Sequence, residues 1–244
     1  SFTANDSEFF RDIIRSYNNG YVAVGSQTTS TSSGFSGYIV EYDTSLNIIS
    51  QTSYGFGDSS QFNFITKSHD GGYIVGGTAN NVTTSIALII KYDASFNIVS
   101  QKTYEEGTIF YSASNAIATS DGGYLVVSTR WPDFSNPSQT CLFKFDSNLN
   151  LTNETSITGN RDVSLRNILE SNDGRIILSG TTDNGSIDNQ KFAVIVVDSQ
   201  LNIIDSKVLE ASNTTHDLTV GEFIQTADGN FMKVGTLIRH TNDT

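Results

Sequence analysis

The residues best suited to chemistry sit in irregular stretches. In TRWPDFSNPSQT (129–140), Arg130, Trp131 and Asp133 place an aromatic plane between a cation and an anion. Such a group suits stacking on a sugar ring or anchoring a protein partner. Glu105, Phe110 and Tyr111 in YEEGTIFY offer a similar mixture. Asp183, Asn184 and Asp188 bring oxygen donors together in TTDNGSIDNQ (181–190), enough for a weak calcium site but without EF-hand spacing. Each group has a purely structural alternative. Trp131 can be a loop anchor folded over its neighbour, the Phe110–Tyr111 pair can cap the core, and the acidic loop can simply be solvated.

Other chemistries lack their signatures. His69, His216 and His240 share no H-x-x-x-H or carboxylate spacing, and there is no C-x-x-C, so no transition-metal site is expected. No G-x-S-x-G is present. Asp12, Glu170 and Glu222 are the carboxylates an axial hydrolase site would use, but Arg11, Arg15, Lys67 and Arg166 occur in the same segments. A ring of mixed charge around a wet channel is the expectation there, with no catalytic residue and no cofactor.

Composition narrows the partners. The 244 residues carry a net charge of −12, with 14 Lys and Arg and no basic run. Counterion release from phosphates needs clustered cations, so nucleic acid and anionic membranes are not expected partners. No apolar run has the length of a membrane span. Cys141, the single cysteine, lies in the apolar run CLFKF and reads as a small core residue.

The strongest signal is internal repetition. KSHDGGYIVGGT (67–78) returns as ATSDGGYLVVST, and more loosely as RSYNNGYVAVGS, ESNDGRIILSGT and QTADGNFMKVGT. The glycines Gly20, Gly72, Gly123, Gly174 and Gly229 are spaced by 52, 51, 51 and 55 residues. A second marker keeps the same period: Asp43…Asn47, Asp93…Asn97, Asp146…Asn150 and Asp198…Asn202. Each unit reads as four short strands. The N-G, G-G and D-G pairs predict two-residue type I′ hairpins between the first and second strands. The Asp…Asn segment predicts an Asx turn between the third and fourth, with Asn as the residue tolerant of left-handed backbone. Units of this size cannot bury a core alone and must stack side by side.

The fold expected is therefore all-β: a β-propeller of four-stranded antiparallel blades, about 50 residues per repeat, with five or more blades. The whole chain, 1–244, forms one propeller domain, with blades at approximately 8–60, 61–111, 112–160, 161–215, and 216–244 plus 1–7. The last blade is incomplete, so open blade edges raise the prospect of self-association.

The combination xSDGGYxVxG, K-[YF]-D and D-x-x-L-N-I resembles the DGGY-type tandem propeller repeats of secreted and surface-anchored bacterial proteins. The likeness spans nearly the whole chain and is clearest over 61–157. Those repeats often carry Gly just before the Asn of the second turn, where this chain has Leu46, Phe96, Leu149 and Leu201. The resemblance implies a bacterial extracellular or cell-surface protein. In such a unit the two repeating turns share one face and the irregular loops the other, and a site belongs among the loops. The function expected is a non-catalytic binding or adhesion module presenting its loop-rich face to a protein or glycan. Arg130, Trp131, Asp133, Glu105, Phe110, Tyr111, Asp183 and Asp188 are its candidate contacts. A propeller glycoside hydrolase or lyase, and a structural spacer, are the alternatives.

Overall fold

The computed structural model describes residues 7–28, 34–81, 83–133, 135–159, 162–183, 191–209, 216–218, 223–226, 228–233 and 237–239. Four antiparallel sheets follow one another along the chain, each in strand order 1-2-3-4. The first holds β1 (Ser7–Arg15), β2 (Tyr21–Thr28), β3 (Ser36–Tyr42) and β4 (Ile48–Tyr54). The second holds β5 (Ser59–Lys67), β6 (Tyr73–Asn80), β7 (Ser85–Tyr92) and β8 (Ile98–Tyr104). The third holds β9 (Phe110–Ala118), β10 (Tyr124–Trp131), β11 (Gln139–Phe145) and β12 (Leu151–Ile157). The fourth holds β13 (Asp162–Glu170), β14 (Ile176–Asp183), β15 (Lys191–Val197) and β16 (Ile203–Leu209). A fifth unit supplies paired short strands: β17 (His216–Leu218) with β20 (Leu237–Arg239), and β18 (Phe223–Gln225) with β19 (Phe231–Lys233). The described residues contain no helix. This is the expected all-β propeller arrangement of four-stranded blades.

The core lies between blades. Second and third strands are apolar on both faces, and the sheets of blades 2 and 3 are covered on both sides. Val22, Val24 and Ile39 of blade 1 meet Phe62, Ile65, Tyr92 and Phe96 of blade 2. Phe64, Ile74 and Ile89 on the opposite face of blade 2 meet Ala113, Ala116, Phe145 and Leu149 of blade 3. Leu125, Val127 and Leu142 then meet Leu165, Ile168, Val197 and Leu201 of blade 4. Cys141 is buried in the second of these interfaces, as its apolar setting predicts. In blade 1 the positions matching Phe62, Ile65 and Phe96 are Phe10, Ile13 and Leu46, and they are 43%, 57% and 65% exposed. The outer strands are largely exposed, including the pairs Ile48–Ile49 and Ile203–Ile204 that open β4 and β16.

Both repeating turns differ from the expected geometry. A type I′ hairpin needs two central residues with positive φ. Each first turn has only one: Asn19 (64°), Gly71 (90°), Gly122 (88°), Gly174 (79°) and Gly229 (84°). In blade 2 the Gly71 N–H donates to the Ser68 carbonyl at 3.4 Å, and the Ser68 N–H donates to the Gly72 carbonyl at 2.9 Å. These are three-residue loops, a tight turn closed by a left-handed residue. The second glycine of the G-G pair serves packing instead: a Cβ at Gly72 would lie 2.0 Å from the Tyr92 carbonyl oxygen.

The second turn repeats this design with an unexpected residue. Left-handed φ falls on Leu46, Phe96, Leu149 and Leu201, at 60–68°, and not on the following Asn. Left-handed backbone costs an L-residue about 1–2 kcal/mol. Two features offset that cost. The Asp146 carboxylate accepts the N–H groups of Asn148 and Asn150, both at 2.8 Å, and the Asn150 side-chain amide at 2.9 Å. Leu149 itself is fully buried between blades. Phe96 likewise stacks on Tyr73 with ring centroids 4.9 Å apart.

Polar staples cross each interface at the first turn. The Tyr17 hydroxyl donates to the Ser68 carbonyl at 2.6 Å, His69 Nε2 lies 3.3 Å from the Gly123 carbonyl oxygen, and the Ser120 N–H donates to Glu170 at 2.7 Å. The lysine of K-[YF]-D works beside them. Lys144 Nζ pairs with Asp121 of its own blade at 2.7 Å and donates to the Ser199 carbonyl of the next at 3.0 Å. Lys91 does the same with Asp70 and Ser147, both at 2.7 Å.

Two outcomes follow. Leu149→Gly relieves the left-handed φ but loses a buried side chain, so it lowers unfolding stability by about 2–3 kcal/mol net in urea titration. Hydrogen bonds from Lys144 and Thr119 hold the Asp121 carboxyl down at about 2. A depressed folded-state value contributes stability that is present above the ordinary carboxylate range and is lost as pH falls from about 4 through 2. Thermal melts of Asp121→Asn therefore show a lower midpoint at neutral pH and a shallower acid limb than the parent.

Candidate functional site

The inner strands β1, β5, β9 and β13 each carry a β-bulge at the same place. The register slips between Phe10 and Asp12, between Phe62 and Phe64, opposite Val127–Ser128 at Ser114, and between Leu165 and Asn167. The four unpaired residues are Arg11, Asn63, Ser114 and Arg166. A bulge re-aims a side chain and often marks a site. All four line one axial cavity of about 310 Å³, with Gln61, Ser112, Thr129 and Trp131. The bulge also accounts for glycine in the second strands. A Cβ at Gly25, Gly77 or Gly180 would fall 1.8–2.1 Å from the carbonyl oxygen of Phe9, Gln61 or Ser164 on the inner strand.

A larger cleft of about 750 Å³ shares Thr78, Ser112, Trp131 and Arg166 with the axial cavity and extends outward over blades 3 and 4. Phe110, Asp133, Asn136, Ser138, Asp162 and Thr181 contribute to its lining. These residues come from the strand ends that carry the irregular loops, on the face where a site is expected. Trp131 lies opposite Phe110 in the register, so both project from the same side of the sheet. Trp131 keeps 37% of its surface exposed. The result is an aromatic wall set among hydroxyl, amide and charged groups.

The sequence-predicted residues separate into groups. Trp131, Phe110, Tyr111 and Asp133 do line the cleft. Asp133 also braces its own loop, accepting the N–H groups of Ser135 at 2.7 Å and Asn136 at 2.9 Å and the Asn136 amide at 2.8 Å. Those donors, the Asn136 side chain foremost, hold its carboxyl below the usual range. Arg130 pairs in register with Tyr111 and Gln139, on the side of β10 away from Trp131. Its guanidinium donates to the Tyr111 hydroxyl at 2.8 Å, Gln139 at 2.9 Å and Glu106 at 3.1 Å. Burial, then the hydrogen bond to Glu106, pushes the Tyr111 hydroxyl far above its ordinary range. Arg130 is thus the centre of a local brace beside the cleft. Glu105 is exposed in the preceding turn. Asp183 ends β14, its backbone opposite Asp162, while Asn184 and Asp188 lie outside the described residues, so the calcium expectation falls there too. Among the described residues no group of three His, Cys, Asp or Glu side chains could hold a metal ion.

Two of the three carboxylates considered for an axial catalytic pair have other partners. Asp12 accepts the N–H of Ile13 at 2.8 Å and, across the blade boundary, that of Ile65 at 2.9 Å. Glu170 holds Ser120 on the opposite face. Glu222 lies outside the described residues. Residues that sequence reading did not assign to the site are Asn63, Ser112, Ser114 and Asp162, while it placed Arg11 and Arg166 only in a ring of mixed charge around the channel. For the bulges a signal was present: three of the four face a glycine in the interior of the second strand, a residue that in a strand marks a bulge or close approach.

No family model matches the chain, and no curated protein matches it. Solved structures do. A protein of unknown function from Bacteroides caccae superposes with a TM-score of 0.55 at 11% identity, over 92% of this chain and 70% of its own. An endo-arabinase from Bacteroides thetaiotaomicron gives 0.52 at 12% identity, over 98% and 95%. A mannose phosphorylase from Leishmania mexicana, solved with phosphate ion, gives 0.51 at 9% identity, over 93% and 80%. At such identities the likeness concerns the fold alone. With the repeated four-stranded sheets, it establishes the chain as a β-propeller.

Proposed function

We propose that this propeller is a non-catalytic, extracellular or cell-surface binding module that holds a glycan in the cleft of its irregular face. The observation that carries this reading is the composition and shape of the cleft. Trp131 presents a half-exposed ring at the meeting point of the outer cleft and the axial cavity. Around it stand Thr78, Ser112, Ser114, Asn136, Ser164 and Thr181, short hydroxyl and amide groups. A sugar needs both: an apolar ring face packs on an aromatic plane, and its hydroxyls exchange hydrogen bonds with neutral side chains. Two rigid blades supply the wall, so binding orders little new chain.

A glycoside hydrolase or lyase is the competing reading. It needs a proton donor and a second carboxylate flanking the scissile bond. The hydrogen bonds already accepted by Asp12 and Asp133 favour brace roles for both and support the binding reading instead.

A glycan array probed with the purified chain tests the proposal, alongside Trp131→Ala checked for its fold by circular dichroism. The expected result is selective binding to a subset of saccharides, weakened at least about tenfold in the variant, as loss of an aromatic anchor implies. Absence of saccharide binding overturns the glycan reading. Release of shortened products from the bound saccharides overturns the non-catalytic one.

A further inference from the structure

Resting on the glycan reading, we propose that the ligand is acidic: a saccharide carrying a carboxylate or sulfate, whose anionic group is received at the axis by Arg11 and Arg166. The two residues lie 155 positions apart but occupy the same bulge position in blades 1 and 4, and both line the axial cavity. The bulge turns each side chain out of the sheet register toward the axis, with Asn63 and Ser114 filling the equivalent places between them.

Neither arginine has an ion-pair partner among the described residues, where Lys91, Arg130, Lys144 and Arg175 all do. Arg11 donates to the neutral Gln61 side chain at 3.2 Å, and Arg166 to the Ser164 hydroxyl at 3.1 Å. A guanidinium offers five N–H donors in a planar fork matched to carboxylate and sulfate oxygens. Among the described residues these are the only hydrogen bonds of either guanidinium, which leaves most of its donors facing the cavity. The acidic groups nearby are differently placed. Asp133 accepts three hydrogen bonds from its own loop, and Asp162 accepts the Ser138 N–H. The axial end of the cleft therefore offers cationic donors, while the outer end by Trp131 offers an aromatic surface. In a chain of net charge −12, two cations directed at one wet cavity supply the local field an anion needs. The same order of groups suits a sugar ring stacked at Trp131 with its acidic substituent pointing to the axis.

Isothermal titration with three defined probes tests this: a galacturonic acid trimer, its fully methyl-esterified form, and a sulfated galactose oligosaccharide. Arg11→Gln and Arg166→Gln keep the polar stem and remove the charge. If the inference holds, at least one anionic probe binds, and its affinity falls about tenfold or more in either variant. It also falls with added salt, and the methyl ester binds about tenfold or more weakly than the free acid if the carboxylate is the group read. The two anionic probes separate carboxylate from sulfate recognition. Equal affinity for acid and ester with no binding of the sulfated probe, or full affinity in both variants, overturns the inference and leaves the neutral-glycan reading standing. Failure to bind the acidic probes while neutral saccharides bind on the array overturns it as well. Failure of every saccharide overturns the glycan reading itself.

Discussion

Contact between successive sheets is the constraint on which the structure depends. A single four-stranded unit has apolar side chains on both faces and no interior of its own. It becomes stable only when Phe62, Ile65, Tyr92 and Phe96, or their counterparts in later blades, are covered by the unit before it. This explains the buried apolar runs of the second and third strands, such as Val22–Val24, Ile86–Ile90, Leu125–Val127 and Ile176–Leu178. It also explains why the left-handed residue of the second turn is Leu or Phe. Glycine would relax the backbone, but the side chain fills the gap between two sheets at the rim. The turn is thus a packing device as well as a reversal of direction.

The same stacking fixes the axis and leaves it polar. The inner strands β1, β5, β9 and β13 line the axial cavity, and each of these four breaks its ladder once, at the bulge. Three consequences meet there. A side chain is turned into the axial cavity, the opposing strand must give way with glycine in three blades of four, and Asp12 finds an amide of the next blade to bind. The structural role of Asp12 and the ligand-facing role of Arg11 are therefore neighbours by geometry. One residue joins blades and the adjacent one is left to the cavity.

Much of this was legible from sequence because it is periodic. Two markers in step gave four strands per unit, the stacking of units, and the separation of regular turns from irregular loops. Trp131 and Phe110 were legible as cleft residues because they sit at the irregular ends of their strands. Turn geometry was less so. N-G and G-G pairs suit type I′ turns, yet the closing hydrogen bonds from Ser68 and Gly71 select a longer loop with one left-handed residue. The exchange of Gly for Leu before the turn Asn hid the second left-handed site, since propensity alone assigns it to Asn. Arg130 and Trp131 are adjacent in sequence but lie on opposite sides of β10, which the alternation of a strand requires and a loop assignment conceals. The axial arginines were visible as charges but not as a pair, because their convergence depends on a bulge repeated three blades apart.

Leu46 holds the same left-handed backbone as Phe96, Leu149 and Leu201, but without their burial. It bears the conformational cost of the motif and receives in return only the hydrogen bonds of Asp43. A stacked array with nearest-neighbour coupling does not share its stability evenly. Blades 2 and 3 are each held by two apolar interfaces, whereas among the described residues one such interface holds blade 1. The cleft draws its aromatic wall from blade 3, and the adjoining axial cavity draws Arg11 from blade 1. A ligand spanning the two would tie blade 1 to blade 3 across blade 2, so that occupancy and the integrity of the stack become one equilibrium.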